Sequence, residues 1–177
     1  MPIYQLDGKS PKISKTSYVH PQAVIIGNVE IGSHCFVGPG AVLRGDFGRI
    51  KIGEKTIIQE NCILHVGVNE TTSIHDHVII THGAVVHDVT LKPYVVVGMG
   101  AILMHGVFVE DHVLIGAGSL VKEGVHIRSR TVVAGSPARI IKPLSNEQKK
   151  GIHRGVKLYQ DLLKRYLKTC REVARRP

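Results

Sequence analysis

Three histidines, His65, His82 and His87, stand at spacings that could bring imidazole nitrogens to one metal ion. Neutral imidazole is a common ligand for divalent metals, and three of them with a fourth position left to water is a pattern of catalytic zinc. A metal held this way lowers the pKa of its water from about 15.7 towards about 7 and makes hydroxide available at neutral pH. With 11 histidines in the chain, a spaced triplet also arises by chance. The bland reading, a solvated corner or surface position, fits His20, His34, His75, His77, His105, His112, His126 and His153 better than ligation does. Whether the three converge depends on the elements that carry them.

Those elements show a six-residue period. Aliphatic residues recur at Val19, Ile25, Ile31, Val37 and Leu43, then at Ile52, Ile58 and Leu64, then at Ile74 and Ile80, and finally at Leu91, Val97, Leu103, Val109, Ile115 and Val121. Four residues after most of them comes a second column of small or β-branched residues, among them Ala23, Cys35, Ala41, Cys62, Ala84 and Ala101. A helix repeats every 3.6 residues or so and a half-buried strand every second one, so this pattern is neither as a continuous element. It fits an all-β, single-stranded parallel β-helix in which three hexads, about 18 residues, make one triangular turn and turns stack roughly 4.8 Å apart. The narrow interior accounts for the small residues and for the absence of tryptophan. An ordinary β-sandwich predicts no such two-column register. The sixteen aliphatic positions predict about five turns, with the coil running roughly from 19 to 137 inside a domain of residues 1–143. Glycines that follow the aliphatic column, Gly32, Gly38, Gly53, Gly98 and Gly116, read as tight corners that need positive φ.

The phase of the repeat places the histidines. Val86 lies three hexads after Leu64, so His65 and His87, each one residue further on, should stack on one edge of adjacent turns about 5 Å apart. His82 falls on the preceding face and points away from that pair. It completes the site only if a neighbouring subunit supplies it, which predicts a cyclic homotrimer with metal sites between subunits. The register breaks at Gly45 to Lys51, at Asn69 to Ser73, and by one lost residue between Ile80 and Leu91. After Val121 the repeat is expected to fade into an exit that Gly135 and Pro137 end. Ser145 with Gln148 reads as a capping box that opens a helical tail, residues 144–177. Gly151 and Gly155 are expected to divide it into a short piece and a longer one from about His153 to Val173. On the longer piece Val156, Tyr159, Leu163, Tyr166, Leu167 and Cys170 form an apolar stripe suited to packing on the coil.

A formal net charge of +9 first suggests a polyanionic partner. Residues 1–137, however, hold 11 basic and 11 acidic residues, whereas residues 138–177 hold 12 and 3. The excess belongs to the tail, which lacks the interleaved aromatics or recognisable module of a nucleic-acid binder, so no nucleic-acid partner is expected. Three cysteines without paired spacing argue against a disulfide framework, and the N-terminus MPIYQLDGKSPK has no leader pattern. The longest nearly apolar run, Val95 to Met104, is far short of the roughly 20 residues of a membrane helix. A cytoplasmic protein without a membrane partner is expected.

Arg44-Gly45-Asp46, Gln59-Glu60-Asn61, His65 and the pair His82 and His87 together resemble the γ-class carbonic anhydrase family. The segments VHPQAVIIGNV, LRGDFGRI, VVVGMGAILMHG and GSPARII, with Tyr159-Gln160 in the tail, extend the likeness over nearly the whole chain. They are similar to the subgroup of the phenylacetic-acid degradation protein PaaY and the carnitine operon protein CaiE. The resemblance implies a left-handed coil, where crossover connections otherwise favour the right hand. It implies that His65 and His87 bind the metal from one subunit and His82 from the next, the ion being Zn²⁺, or Fe²⁺ or Co²⁺. Gln59 would orient the metal-bound water, and Arg44 and Asp46 would form a charged pair at the subunit boundary, with Glu60 where an aspartate is common. Tyr159 would reach the pocket from the tail. A plain interface ion pair for Arg44 and Asp46, and plain packing for Tyr159, are the competing roles.

The implied reaction is attack of metal-bound hydroxide on CO₂ to give bicarbonate. The subgroup implies a second, a thioesterase reaction of the same hydroxide on an acyl-CoA, for which the basic tail could contact the CoA phosphates. Two further readings stay open: a hexapeptide acyltransferase with a histidine base, and a metal- or ligand-binding scaffold with little catalysis. The chain departs from the family pattern at Ile57, where an asparagine is usual, at Thr81 and Asp88, where glycines are, and at Phe47, where the archetype is acidic. Glu70 in the inserted segment is then the candidate proton shuttle.

Overall fold

Each hexad folds as its two columns demand, into a two-residue strand whose second side chain points inward and a corner whose small residue also points inward. In the computed structural model, which describes residues 2–173, Ile58, Ile80, Val97 and Ile115 are all buried in the interior while their preceding neighbours face outward. Stacked in parallel, these strands make a left-handed β-helix. Its third face carries seven parallel rungs, from Tyr18–Val19 through Phe36–Val37, Ile57–Ile58, Ile79–Ile80, Val96–Val97 and Leu114–Ile115 to Thr131–Gly135. There are thus about seven turns, not the five expected. The repeat does not fade after Val121, because Ile127 and Val133 keep its phase in the interior, and Ile13 precedes Val19 by the same six residues. Charged corners such as Lys122-Glu123 and Arg128 disguise that last turn in the sequence. An antiparallel strand, Ala138–Pro143, then closes the face against Thr131–Gly135.

The first face is built from residues 42–44, Ile63–His65, Val85–His87, Ile102–Leu103 and Leu120–Val121, and the second from the strands that follow each of these. The register break at Gly45 to Lys51 is not a loop. A single strand, Val42–Ile52, runs across both faces, pairs with Val24–Ile31 through a bulge, and carries Ile63–His65 on its first part and Thr71–Ile74 on its last. The glycines after the aliphatic column also differ from expectation, since none of the five has positive φ. They are required by the close approach of coils: a Cβ on Gly98 would stand 2.5 Å from the Ala117 nitrogen. Left-handed corners are taken instead by residues such as His34, Asn61, His77, Tyr94 and His112. Cys35 and Cys62 are free thiols inside the coil, each pushed up to about 11 by burial.

Ser145 and Gln148 form both halves of the capping box, and one unbroken helix, α1, follows from Asn146 to Thr169. Gly151 and Gly155 do not divide it. Each glycine costs a helix interior about 1 kcal/mol, whereas α1 buries Ile152, Val156 and Leu163 on the third face, each such side chain contributing about 1.5–3 kcal/mol. Gly155 also permits the approach, because a Cβ there would lie 3.2 Å from Ile79 Cδ1. Tyr159 and Tyr166 meet Phe36 edge-on at 5.4 and 5.2 Å. Leu167 and Cys170, expected in the packed stripe, are exposed. Among the described residues no helix is long and apolar enough to cross a membrane.

An aromatic column holds the other end of α1. His77, Tyr94 and His112 occupy left-handed corners of successive turns and stack at 4.7 and 4.9 Å, and His153 of α1 lies 4.3 Å from Tyr94 and 5.5 Å from His112. Burial holds the pKa of His77 and of His153 below the ordinary value. Lys55 adds to this at His77 against Asp76 and Glu54, and His112, Lys149 and His77 add to it at His153. His112 is itself paired with Asp111 at 2.6 Å. A histidine whose pKa is lowered by docking stabilises the docked state fully above its unperturbed pKa, and the contribution is lost as pH falls through that value. Amide exchange in residues 146–156, corrected for intrinsic rates, should therefore accelerate relative to the coil between about pH 7.5 and pH 5.5. An equal response of helix and coil amides rules this latch out.

Candidate functional site

The parallel ladder sets Arg44, His65 and His87 on successive rungs of the first face. The two imidazole centroids are 5.0 Å apart. Asp46 completes this edge, its Oδ1 2.9 Å from His65 Nε2 and its Oδ2 accepting from the Arg44 guanidinium. Burial pushes the Asp46 carboxyl upward, but hydrogen bonds from His65, Arg44 and the backbone outweigh that and hold its pKa below the usual range. Asp88 Oδ2 stands 3.0 Å from His87 Nδ1, while its Oδ1 accepts from the Gly67 amide at 2.6 Å. Phe47 is exposed and meets His65 edge-on at 6.0 Å. Glu70 is exposed on a loop tied back to this edge, where Asn69 donates to the Phe47 carbonyl and the Glu70 carbonyl accepts from Arg49.

His82 lies at the opposite edge, on the corner that leads into Val85–His87. Its side chain is 51% exposed, and Nδ1 is 2.5 Å from Glu60 Oε2. Gln59, buried beneath it, accepts from the His82 amide at 3.3 Å and donates through Nε2 to the Tyr159 hydroxyl at 2.7 Å. Burial, aided by Glu60 and Tyr166, raises the Tyr159 pKa, so the phenol keeps its proton. Within one chain the sequence-derived residues thus form two groups, Arg44, Asp46, His65, His87 and the Glu70 loop at one edge, and Gln59, His82 and Tyr159 at the other. The carboxylate partners are what the sequence pattern does not reveal: Glu60 serves His82 rather than the Arg44–Asp46 pair, and Asp88, a departure from the family pattern, serves His87. Ile57, another departure, packs under α1 with Phe36, Ile79 and Val156.

Among the described residues, no three His, Cys, Asp or Glu side chains of one chain could hold an ion. The donor chemistry nonetheless suits a shared metal. His82 and His87 each have Nδ1 within 3.0 Å of a carboxylate oxygen, the position from which an outer carboxylate orients a metal-ligating histidine once the two are hydrogen-bonded. His65 differs in facing Asp46 through Nε2, so ligation by that atom requires the carboxylate to release it. Between the two edges the first face is apolar, with Ile63 and Ile102 exposed, and Met99 and Met104 are exposed at its corners. An exposed band of this kind marks an interaction surface. Beside His82, two contiguous cavities of about 380 and 440 Å³ share Gln59, Thr81, Val96 and Leu114 and run from beneath α1 to the imidazole.

Residues 10–45 match the family described as bacterial transferase hexapeptide (six repeats). Over 162 residues the chain is 35% identical to the carnitine operon protein CaiE of Salmonella typhimurium, covering 92% of this chain and 82% of that protein. The CaiE of a Proteus species is 33% identical over 172 residues, 97% and 85% of the two chains. A crystal structure of a hexapeptide transferase family protein from Anaplasma phagocytophilum is similar with a TM-score of 0.90 at 33% identity, over 93% of this chain and 98% of that one.

Proposed function

The chain belongs to the hexapeptide-repeat family, in the group of the carnitine operon protein CaiE, and on that footing we propose a metal-dependent enzyme of the γ-class carbonic anhydrase kind that hydrates CO₂ to bicarbonate between the subunits of a homotrimer. The observation that carries this reading is the division of the histidines: an in-register pair at one edge of an apolar face and a half-exposed third at the other. A ring of three chains closed around that face brings one subunit's His82 to its neighbour's pair.

His65, His87 and the neighbour's His82 would hold the ion, Zn²⁺ or else Fe²⁺ or Co²⁺. Bound there, a divalent ion supplies a nucleophilic water at neutral pH. The chain's own residues prepare the rest. Glu60 and Asp88 stand beside the Nδ1 atoms of His82 and His87, ready to orient the rings when the ion binds. Asp46 holds Arg44, a partly exposed cation for an anionic product, and gives up His65 Nε2 when that atom binds the ion. Tyr159 accepts from Gln59 and has its own proton left to donate to a substrate oxygen. Glu70, exposed on the adjoining loop, passes a proton to solvent.

Thioester hydrolysis at the same site is a second reading, supported by the apolar cavities beside His82, which are far larger than CO₂ needs. Metal analysis of anaerobically purified protein together with a CO₂ hydration assay tests the first. About one ion per subunit is expected, with activity lost on chelation and restored on metal return. Undiminished hydration after chelation, or a metal-free native protein, overturns it. Chelator-resistant acyl transfer is the result a hexapeptide acyltransferase would give.

A further inference from the structure

We propose that the trough between α1 and the third face is a subsite for a compact apolar acyl group whose carbonyl oxygen lies toward Tyr159. This deepens the thioester reading above and rests on it for the reaction, though not for the binding. Under the middle of α1 the helix and coil are in full contact, and Phe36, Ile57 and Ile79 are buried. Further along, Val96 and Leu114 are left partly uncovered and floor a cavity of about 380 Å³, roofed by Gly151, Ile152 and Gly155. That volume lies within the roughly 300–1,000 Å³ of small-molecule sites. The cavity continues as the second, about 440 Å³ in volume, which ends on His82.

Gly151 points to the same use. It sits inside the helix without positive φ, and a Cβ there would meet nothing within 4 Å. Neither backbone conformation nor packing therefore requires a glycine that costs about 1 kcal/mol in a helix interior. Gly155, one turn on, faces Ile79, so a side chain at 151 projects from the same side of α1, into the trough. The glycine keeps that space open. At the other end the polar groups are sparse and mostly engaged: Thr81 donates to the Val97 carbonyl and Gln59 donates to Tyr159. The Tyr159 proton remains for one oxygen of the ligand. An apolar body with a single carbonyl matches that distribution.

Octanoate, whose carboxylate stands in for the acyl carbonyl, is the probe, titrated into the full-length protein and followed by calorimetry and methyl NMR. Binding should shift the methyls of Ile79, Val96, Leu114 and Ile152, and acetate should not reproduce it. Gly151→Leu fills the trough while improving helix propensity, so it should keep or raise thermal stability and weaken octanoate at least about tenfold. No octanoate binding, shifts elsewhere on the surface, or equal affinity in Gly151→Leu overturns the subsite. Because the readout is binding without turnover, a missing metal or missing hydration would overturn the enzymatic reading while leaving this one standing.

Discussion

In the proposed metal-bound homotrimer, replacing His82 by alanine should strip the metal and abolish the proposed CO₂ hydration while leaving every coil folded. The imidazole is half exposed at a corner, and its ring contact is the Glu60 carboxylate, so its removal opens no cavity in the core. What it removes is one of the three proposed ligands. Losing an outer contact of a metal ligand already costs about 10–100-fold in affinity, so losing the ligand itself should cost more than about 100-fold. Metal content and hydration rate should fall together at unchanged circular dichroism. A complementation experiment reads the geometry directly. His82→Ala chains retain the His65–His87 pair, and His65→Ala chains retain His82. Each variant alone should be empty, but trimers reassembled from an equal mixture should regain metal at about a quarter of their interfaces, those where an intact His82 meets an intact pair. Full occupancy in either variant alone, or no recovery on mixing, sinks the between-subunit site.

The stacking of His65 on His87 is legible in the sequence because it needs only a phase count between Leu64 and Val86, and a parallel ladder preserves phase. Arg44 on the next rung is not, since the break after it looks like an excursion, whereas the backbone continues as one strand through Ile52. The seventh turn is hidden for a related reason. Ile127 and Val133 keep the period, but a single inward residue per hexad is a weak signal once charged corners surround it. The carboxylates Glu60 and Asp88 follow their histidines' geometry rather than any spacing rule: Asp88 reaches His87 from a corner at φ 51°. Glycine propensity alone divides the helix, and the packing of Ile152, Val156 and Leu163 that overrides it is a tertiary quantity. The trough, finally, depends on how far α1 stands off the coil, which no local pattern encodes.

Phe36→Ala should have the largest effect on stability and should show what positions Tyr159. Phe36 is 1% exposed yet points outward from the coil, within 5.6 Å of Tyr18, 5.4 Å of Tyr159 and 5.2 Å of Tyr166, ring centre to ring centre. Truncating a buried phenylalanine costs about 3–5 kcal/mol. In a stacked-coil protein each layer contacts only its neighbours, and the interior beneath Phe36 is unchanged by the substitution. The loss should therefore appear as undocking of α1, seen as fast amide exchange across residues 156–169 with the coil still protected. With the helix goes the hydrogen bond from Gln59 to Tyr159, so hydration or thioester hydrolysis should fall in the same variant. Tyr159→Phe separates the two effects, since it keeps the ring packing and loses only a hydrogen bond whose net worth is about 1 kcal/mol. If activity depends on the hydroxyl, it should drop in Tyr159→Phe while exchange in α1 stays slow. If Phe36→Ala leaves α1 protected, the helix is held by the His77, Tyr94, His112 and His153 column alone, and the aromatic cluster around Phe36 is not what fixes Tyr159 against Gln59.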